Sequence, residues 1–167
     1  MNRRHFLAVG GVGIGTVGGY VGWRRYNSPS LPDGMSVETR HFESDVLSEN
    51  SARDSEILEW REEYHRILAN TEAVNREIVD TGPVTAFLTD TDFEESYLVV
   101  VQNGMQSEME LVLDAISRRT GGLDLDISID SPQGGPDDLL IHSLLVRMTD
   151  EKRGVPEELS VDIDGYV

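Results

Sequence analysis

Carboxylates are the side chains of this sequence whose spacing most readily suggests chemistry, and they gather in two places. Asp90, Asp92, Glu94 and Glu95 begin like a calcium-binding loop, in which oxygen ligands recur at set positions around a sharp glycine turn. That loop needs glycine at its sixth position and glutamate at its twelfth, where this chain has Glu95 and Val101, so the run reads as a solvated acidic segment. Asp124, Asp126 and Asp130 share one face of a segment whose other face is Leu123, Leu125, Ile127 and Ile129. Together they could hold a cation, but the pattern fits the hydrated outer face of a sheet better. The four histidines, His5, His41, His65 and His142, show neither HxH nor HxxxH spacing. His142 lies in an apolar run and reads as a hydrogen-bonded core or strand-end histidine. Arg118-Arg119, a tandem base in an acidic body, either receives an acidic partner or bridges neighbouring acids. Met105 and Met109 serve either as packing or as an adaptable contact surface. The absence of cysteine excludes disulfides and thiolate chemistry. No GxSxG, phosphate loop or paired-histidine motif occurs. No catalytic, cofactor-binding or metal-binding residue is assigned, and no cofactor is expected.

The elements that would position these groups centre on Asp92 to Ser117. A β-branched run, Tyr97 to Val101, precedes a polar break with Asn103-Gly104, after which Met109, Leu111 and Leu113 alternate, and this predicts a central hairpin. Ser36 to Phe42 reads as a first short strand. From Ser51 the spacing of Ile57, Trp60, Tyr64, Ile67 and Leu68 predicts a helix with an i,i+4 pair from Glu62 to Arg66. A competing reading makes Tyr64 to Leu68 an edge strand followed by a helix starting at Thr71. Asn70-Thr71 caps a helix over Glu72 to Val79, ended by Thr81-Gly82-Pro83. Val84 to Leu88, Leu123 to Asp130, Leu139 to Met148 and Leu159 to Ile163 then read as strands, separated by Gly121-Gly122, Gly134-Gly135-Pro136 and Gly154-Val155-Pro156. Strands joined by short turns imply antiparallel pairing. The expected fold is mainly β (α+β): a small antiparallel β-sandwich or open barrel with one or two helices packed on it, its last strand at a sheet edge.

Charge sets the environment. The chain of 167 residues has 31 acidic and 14 basic side chains, and Lys152 is its single lysine. The first 25 residues hold four of the arginines and no acid, so the remainder carries −21. Such a body will not bind nucleic acid or anionic lipid through its own field. Acid excess with almost no lysine is similar to proteins of extreme halophiles, where molar salt cuts the Debye length to about 3 Å. Hydrophobic residues, at 38% and with clear periodicity, argue against a disordered acidic tail.

The segment 1–25 has its own signature. Arg3-Arg4, a spacer at His5, then Phe6 and Leu7, followed by an uncharged glycine-rich run to Trp23, closely resemble a twin-arginine export signal. The resemblance implies that Arg3, Arg4, Phe6 and Leu7 are targeting residues and that the protein is exported already folded. The run from Phe6 to Trp23 is 18 residues long, close to the roughly 17 needed to cross a bilayer. With no A-x-A site and with Tyr20 and Trp23 at its outer end, an uncleaved anchor helix is preferred over a cleaved signal. Arg24 and Arg25 beyond it oppose the positive-inside bias. Residues 26–34 read as a linker and 35–167 as a single acidic β-rich domain.

The early Tyr/His segment and helix, Asp92-Phe93 leading into the Tyr97 to Val101 run, the turn at Gly104 and three further strands resemble twin-arginine-exported β-domain proteins of halophilic archaea. More distantly, over about residues 60–167, the order is similar to the family of the protease-complex accessory subunit PrcB. That family is non-catalytic and associates with other proteins, and no functional residue carries over from it. The expectation is therefore a membrane-tethered or secreted β-domain at the outer face of the cell membrane that binds a protein partner. The membrane is reached only through the N-terminal segment. The alternative is a carboxylate-dependent cation-binding domain or a hydrolase whose site forms only in the fold.

Overall fold

The computed structural model describes residues 28–49, 51, 53, 59–79, 82–131 and 138–165; residues 1–25, expected to direct export, lie outside them. Two sheets face each other. One has four strands in the order β1-β6-β3-β2, the other three in the order β4-β5-β7, with β1 at Met35–Phe42, β2 at Glu63–Leu68, β3 at Tyr97–Gln106, β4 at Glu110–Arg119, β5 at Gly122–Asp130, β6 at Leu139–Asp150 and β7 at Glu158–Asp164. Two short helices, α1 at Thr71–Glu77 and α2 at Gly82–Thr89, contribute to a layer on the outer face of the larger sheet. The arrangement is an open sandwich and not a closed barrel.

The centre is the β3–β6 pair, which is buried on both faces and therefore apolar in runs. Val99, Val101, Leu144 and Val146 pack between the sheets against Leu111, Leu125 and Ile127, while Leu98, Val100 and Leu145 pack outward on Val74, Val84 and Phe87. The smaller sheet has one wet face, so β5 alternates as expected: its leucines and isoleucines point inward, and Asp126 and Asp130 are exposed. In β4 the register shifts between Leu113 and Ala115, which turns Ile116 inward. At that bulge Ser30 pairs with the outer edge, its N–H donating to Asp114 O and its carbonyl accepting from Ile116 N.

Four expectations need correction. The residues 63–68 form an edge strand, as in the competing reading, because this segment is buried on two sides: Ile67 enters the inter-sheet core while Tyr64 and Leu68 pack on the helix side. Two-sided burial imitates helical spacing, and Arg66 pairs with Glu77 instead of Glu62. Ile57 lies outside the described residues. Val84 to Leu88 belongs to a helix, with Val84 and Phe87 buried one turn apart and Pro83 in the first turn, where its missing N–H costs nothing. The central hairpin does not exist as a ladder, since β3 pairs with β2 and β6 while β4 pairs with β5 in the other sheet. Asn103-Gly104 lies inside β3, and the chain turns at Ser107-Glu108 with Glu108 at φ 68°. Finally, β7 lies parallel to β5, because β6 crosses to the other sheet between them. β1 and the Asn70-capped α1 fall where the sequence placed them, the Asn70 side chain accepting from Ala73 N at 2.8 Å.

Candidate functional site

Buried polarity concentrates at one end of the four-stranded sheet. Among the described residues Gln102, Asn103, His142 and Ser143 are fully buried, and they occupy two successive rungs, Gln102 facing Ser143 and Asn103 facing His142. Because side chains alternate, one rung serves each face of the sheet. On the helix side the Gln102 amide donates to Asp45 Oδ1 at 2.8 Å and Ser143 Oγ at 2.9 Å, and its carbonyl accepts from Arg53 at 2.5 Å. Arg53 also holds Asp45 Oδ2 at 2.5 Å, and Ser143 donates to the Ser44 carbonyl at 2.7 Å. Burial pushes the Asp45 carboxyl up, but Arg53, Gln102 and the Leu47 amide outweigh it and leave its pKa below the ordinary carboxylate value. The Ser143 hydroxyl has its donor directed at a carbonyl, so this network secures the chain after β1 and does not present an activated nucleophile.

On the inter-sheet side His142 meets His41, with His41 Nε2 and His142 Nδ1 3.1 Å apart. The rings are nearly parallel, at 12°, with centroids 5.2 Å apart, so contact runs through the facing nitrogens. The sequence marked His142 as a buried, hydrogen-bonded histidine, and it is one; its partner lies 101 residues earlier and left no local signal.

Large apolar side chains are exposed at the same end of the sheet. Trp60, Leu139 and Leu140, three of the five large apolar side chains exposed among the described residues, are 39%, 47% and 39% accessible. Register places all three at the same end of the larger sheet: Trp60 bridges to Gly104, while Leu140 and Leu139 stand opposite Met105 and Gln106 and, as neighbours on one strand, point to opposite faces. Arg61 sits 5.8 Å over the Trp60 ring. Its φ of 66° is left-handed, a conformation that costs a non-glycine residue on the order of 1–3 kcal/mol. Glu108, the other described non-glycine residue with positive φ, lies at the same end, where Asp138 accepts from Ser107 N and Oγ. Exposed acids lie at this end too: Glu59, Glu62, Glu63, Glu108 and Asp138. The sequence places Trp60 on a helix face and Leu139 and Leu140 at the start of an apolar strand, so the exposure of all three is a finding of the structure.

The other marked residues lie elsewhere. Asp92 accepts from Glu94 N, and Asp90, Glu94 and Glu95 are exposed. Asp124 is bound to Arg119 at 3.0 Å and does not converge with Asp126 and Asp130 on a ligand set. Arg118 and Arg119 bridge acids: Arg118 holds Asp150, and Arg119 holds Asp124 and Glu158. Met105 and Met109 are core residues, and His65 pairs with Glu63. His5, Arg3, Arg4, Phe6 and Leu7 lie outside the described residues. Among the described residues no cluster of three metal-ligating side chains occurs, and no helix is long and apolar enough to cross a membrane. At the opposite end of the larger sheet, a cavity of about 320 Å³ opens between Leu123, Asp150, Arg153 and Pro156. No protein-family model, curated protein or solved structure matches the chain.

Proposed function

We propose that this chain is an exported β-domain, tethered to or released from the outer face of the membrane, that acts by binding a protein partner. The observation that supports this reading is the exposure of Trp60, Leu139 and Leu140 together at one end of the larger sheet. Tryptophan and arginine dominate the energetics of protein contacts, and a strained backbone beneath an exposed aromatic is a feature that folding alone does not favour. The acids at this end fit a partner whose apolar anchor is flanked by lysine or arginine, since like charge there would repel. The outer edge of β7 offers the same partner a second place to add a strand.

The test uses the full chain in native salt. A partner that co-purifies with the wild type, and is lost from the folded Trp60→Ser/Leu140→Ser variant, supports the proposal. Retention by that variant would remove this end of the sheet from it. Turnover of a hydrolase substrate, abolished by replacing His142 or Asp124 and Asp126, would put an enzyme in its place.

A further inference from the structure

We infer that His41 and His142 form a one-proton latch, which accommodates a single added proton and loosens the end of β1 and residues 43–48 when a second one arrives. The latch takes His41 Nε2 as the donor and His142 Nδ1 as the acceptor across 3.1 Å at neutral pH, the tautomers in which His142 carries its hydrogen on Nε2 and Nδ1 is the basic nitrogen of His41. A proton added at Nδ1 of His41, a half-buried residue, leaves that bond in place. A second proton has only the accepting nitrogen of His142 to enter. It would set two N–H groups of two cations against each other at a side chain with no solvent exposure, and the rings must then separate.

The surroundings decide where this happens. Among the described residues, the groups acting on His142 are His41 from β1, Glu43 just beyond it, Asp138 just before β6, and on β3 Asn103 opposite in register and the main chain of Gln106. Burial holds the His142 imidazole below the ordinary histidine value; Glu43, the Gln106 main chain and Asp138 raise it without cancelling that effect. The second proton therefore enters below the ordinary histidine value.

What loosens follows from the ladder. His41 and Phe42 are the last β1 rungs on β6, paired with Leu144 and Ser143, and Ser143 holds the Ser44 carbonyl. Separating the rings pulls on these rungs first and then on Asp45, Val46 and Ser48, which tie the loop to Gln102, Val79 and Glu77. The latch stands without the partner reading. If that reading also holds, the switch reaches the binding end of the sheet, because Ile141 adjoins His142 and stands opposite Gly104, to which Trp60 bridges.

The experiment follows the imidazole resonances of the full chain in native salt from about pH 8 to pH 4.5 together with amide exchange at residues 40–48. The two rings should titrate in separate steps more than about one pH unit apart. Once the second begins, the opening equilibrium at residues 40–48 should rise about tenfold per pH unit while exchange in β5 stays constant. His142→Asn should abolish that dependence; if the variant does not fold, His41→Asn at the more exposed ring serves the same purpose. Independent titration of both rings near the ordinary value, or opening that ignores pH in wild type, or pH dependence that persists in the variant, would overturn the inference. Partner capture at neutral pH is unaffected by either result.

Discussion

Arg118 of β4 grips Asp150 of β6 across the two sheets, with Nη2 2.6 Å from Oδ1 and Nε 3.3 Å from Oδ2. The Asp150 side chain is 1% exposed and also accepts the Lys152 and Arg153 amides, while Arg118 donates in addition to the Asp33 carbonyl. Arg118→Met leaves that buried carboxylate without its cation and should cost about 3 kcal/mol of unfolding free energy in denaturant titrations. Burial raises the Asp150 pKa, but Arg118 and the two amides outweigh it, so the carboxyl lies below its ordinary value in the fold. Its contribution is therefore present above the ordinary carboxylate pKa and is lost as pH falls through that value toward the lower folded one. Asp150→Asn should flatten the acid limb of the stability curve below about pH 4; an unchanged limb would exclude Asp150 as its source.

Gly122 opens β5 where Glu158 opens β7. A Cβ on Gly122 would lie 2.6 Å from the Glu158 carbonyl oxygen, a backbone atom that can yield only if the parallel pair separates. Gly122→Ala should destabilise the domain by about 1–3 kcal/mol, measured by thermal unfolding in native salt. An alanine variant as stable as the wild type would mean that the two strands are not held this closely.

What could be read from the sequence depended on how many sides of an element are buried. β5 was legible because one face is wet, so Leu123, Leu125, Ile127 and Ile129 alternate with polar residues. α1 was legible from its Asn70 cap. Tyr64, Ile67 and Leu68 misled because they serve two cores, and helical spacing is what a short two-sided strand can imitate. The hairpin misled because adjacency in sequence does not reveal that β3 selects a partner some 40 residues later. At the candidate site, burial of His142 was readable, whereas its pairing with His41 and the placing of Trp60, Leu139 and Leu140 at one end of the sheet follow only from register.

The −21 carried by residues 26–167 should make the fold dependent on salt. Lowering ionic strength from molar to about 0.1 M extends the Debye length from about 3 Å to about 10 Å and lets those carboxylates repel. Circular dichroism should show the strand signal disappearing over that series. A signal constant into dilute buffer would assign the acidity to solubility alone.

Arg3 and Arg4 should direct export. The Arg3→Lys/Arg4→Lys variant should accumulate folded in the cytoplasm, seen by fractionation, because twin-arginine recognition distinguishes the guanidinium from an ammonium of equal charge. Normal export of the double variant would reject that assignment.

Binding through the sheet end that exposes Trp60, Leu139 and Leu140 is tested most directly by placing a photocrosslinker at Leu140 and, in a second protein, at Asp126 on the exposed face of β5, and irradiating cells in their native salt. A discrete adduct with one protein should form from position 140, vanish when Trp60→Ser is added, and be absent from position 126. Equal adducts from both positions, or none from 140 in a folded and exported protein, would contradict a binding role for this end of the sheet.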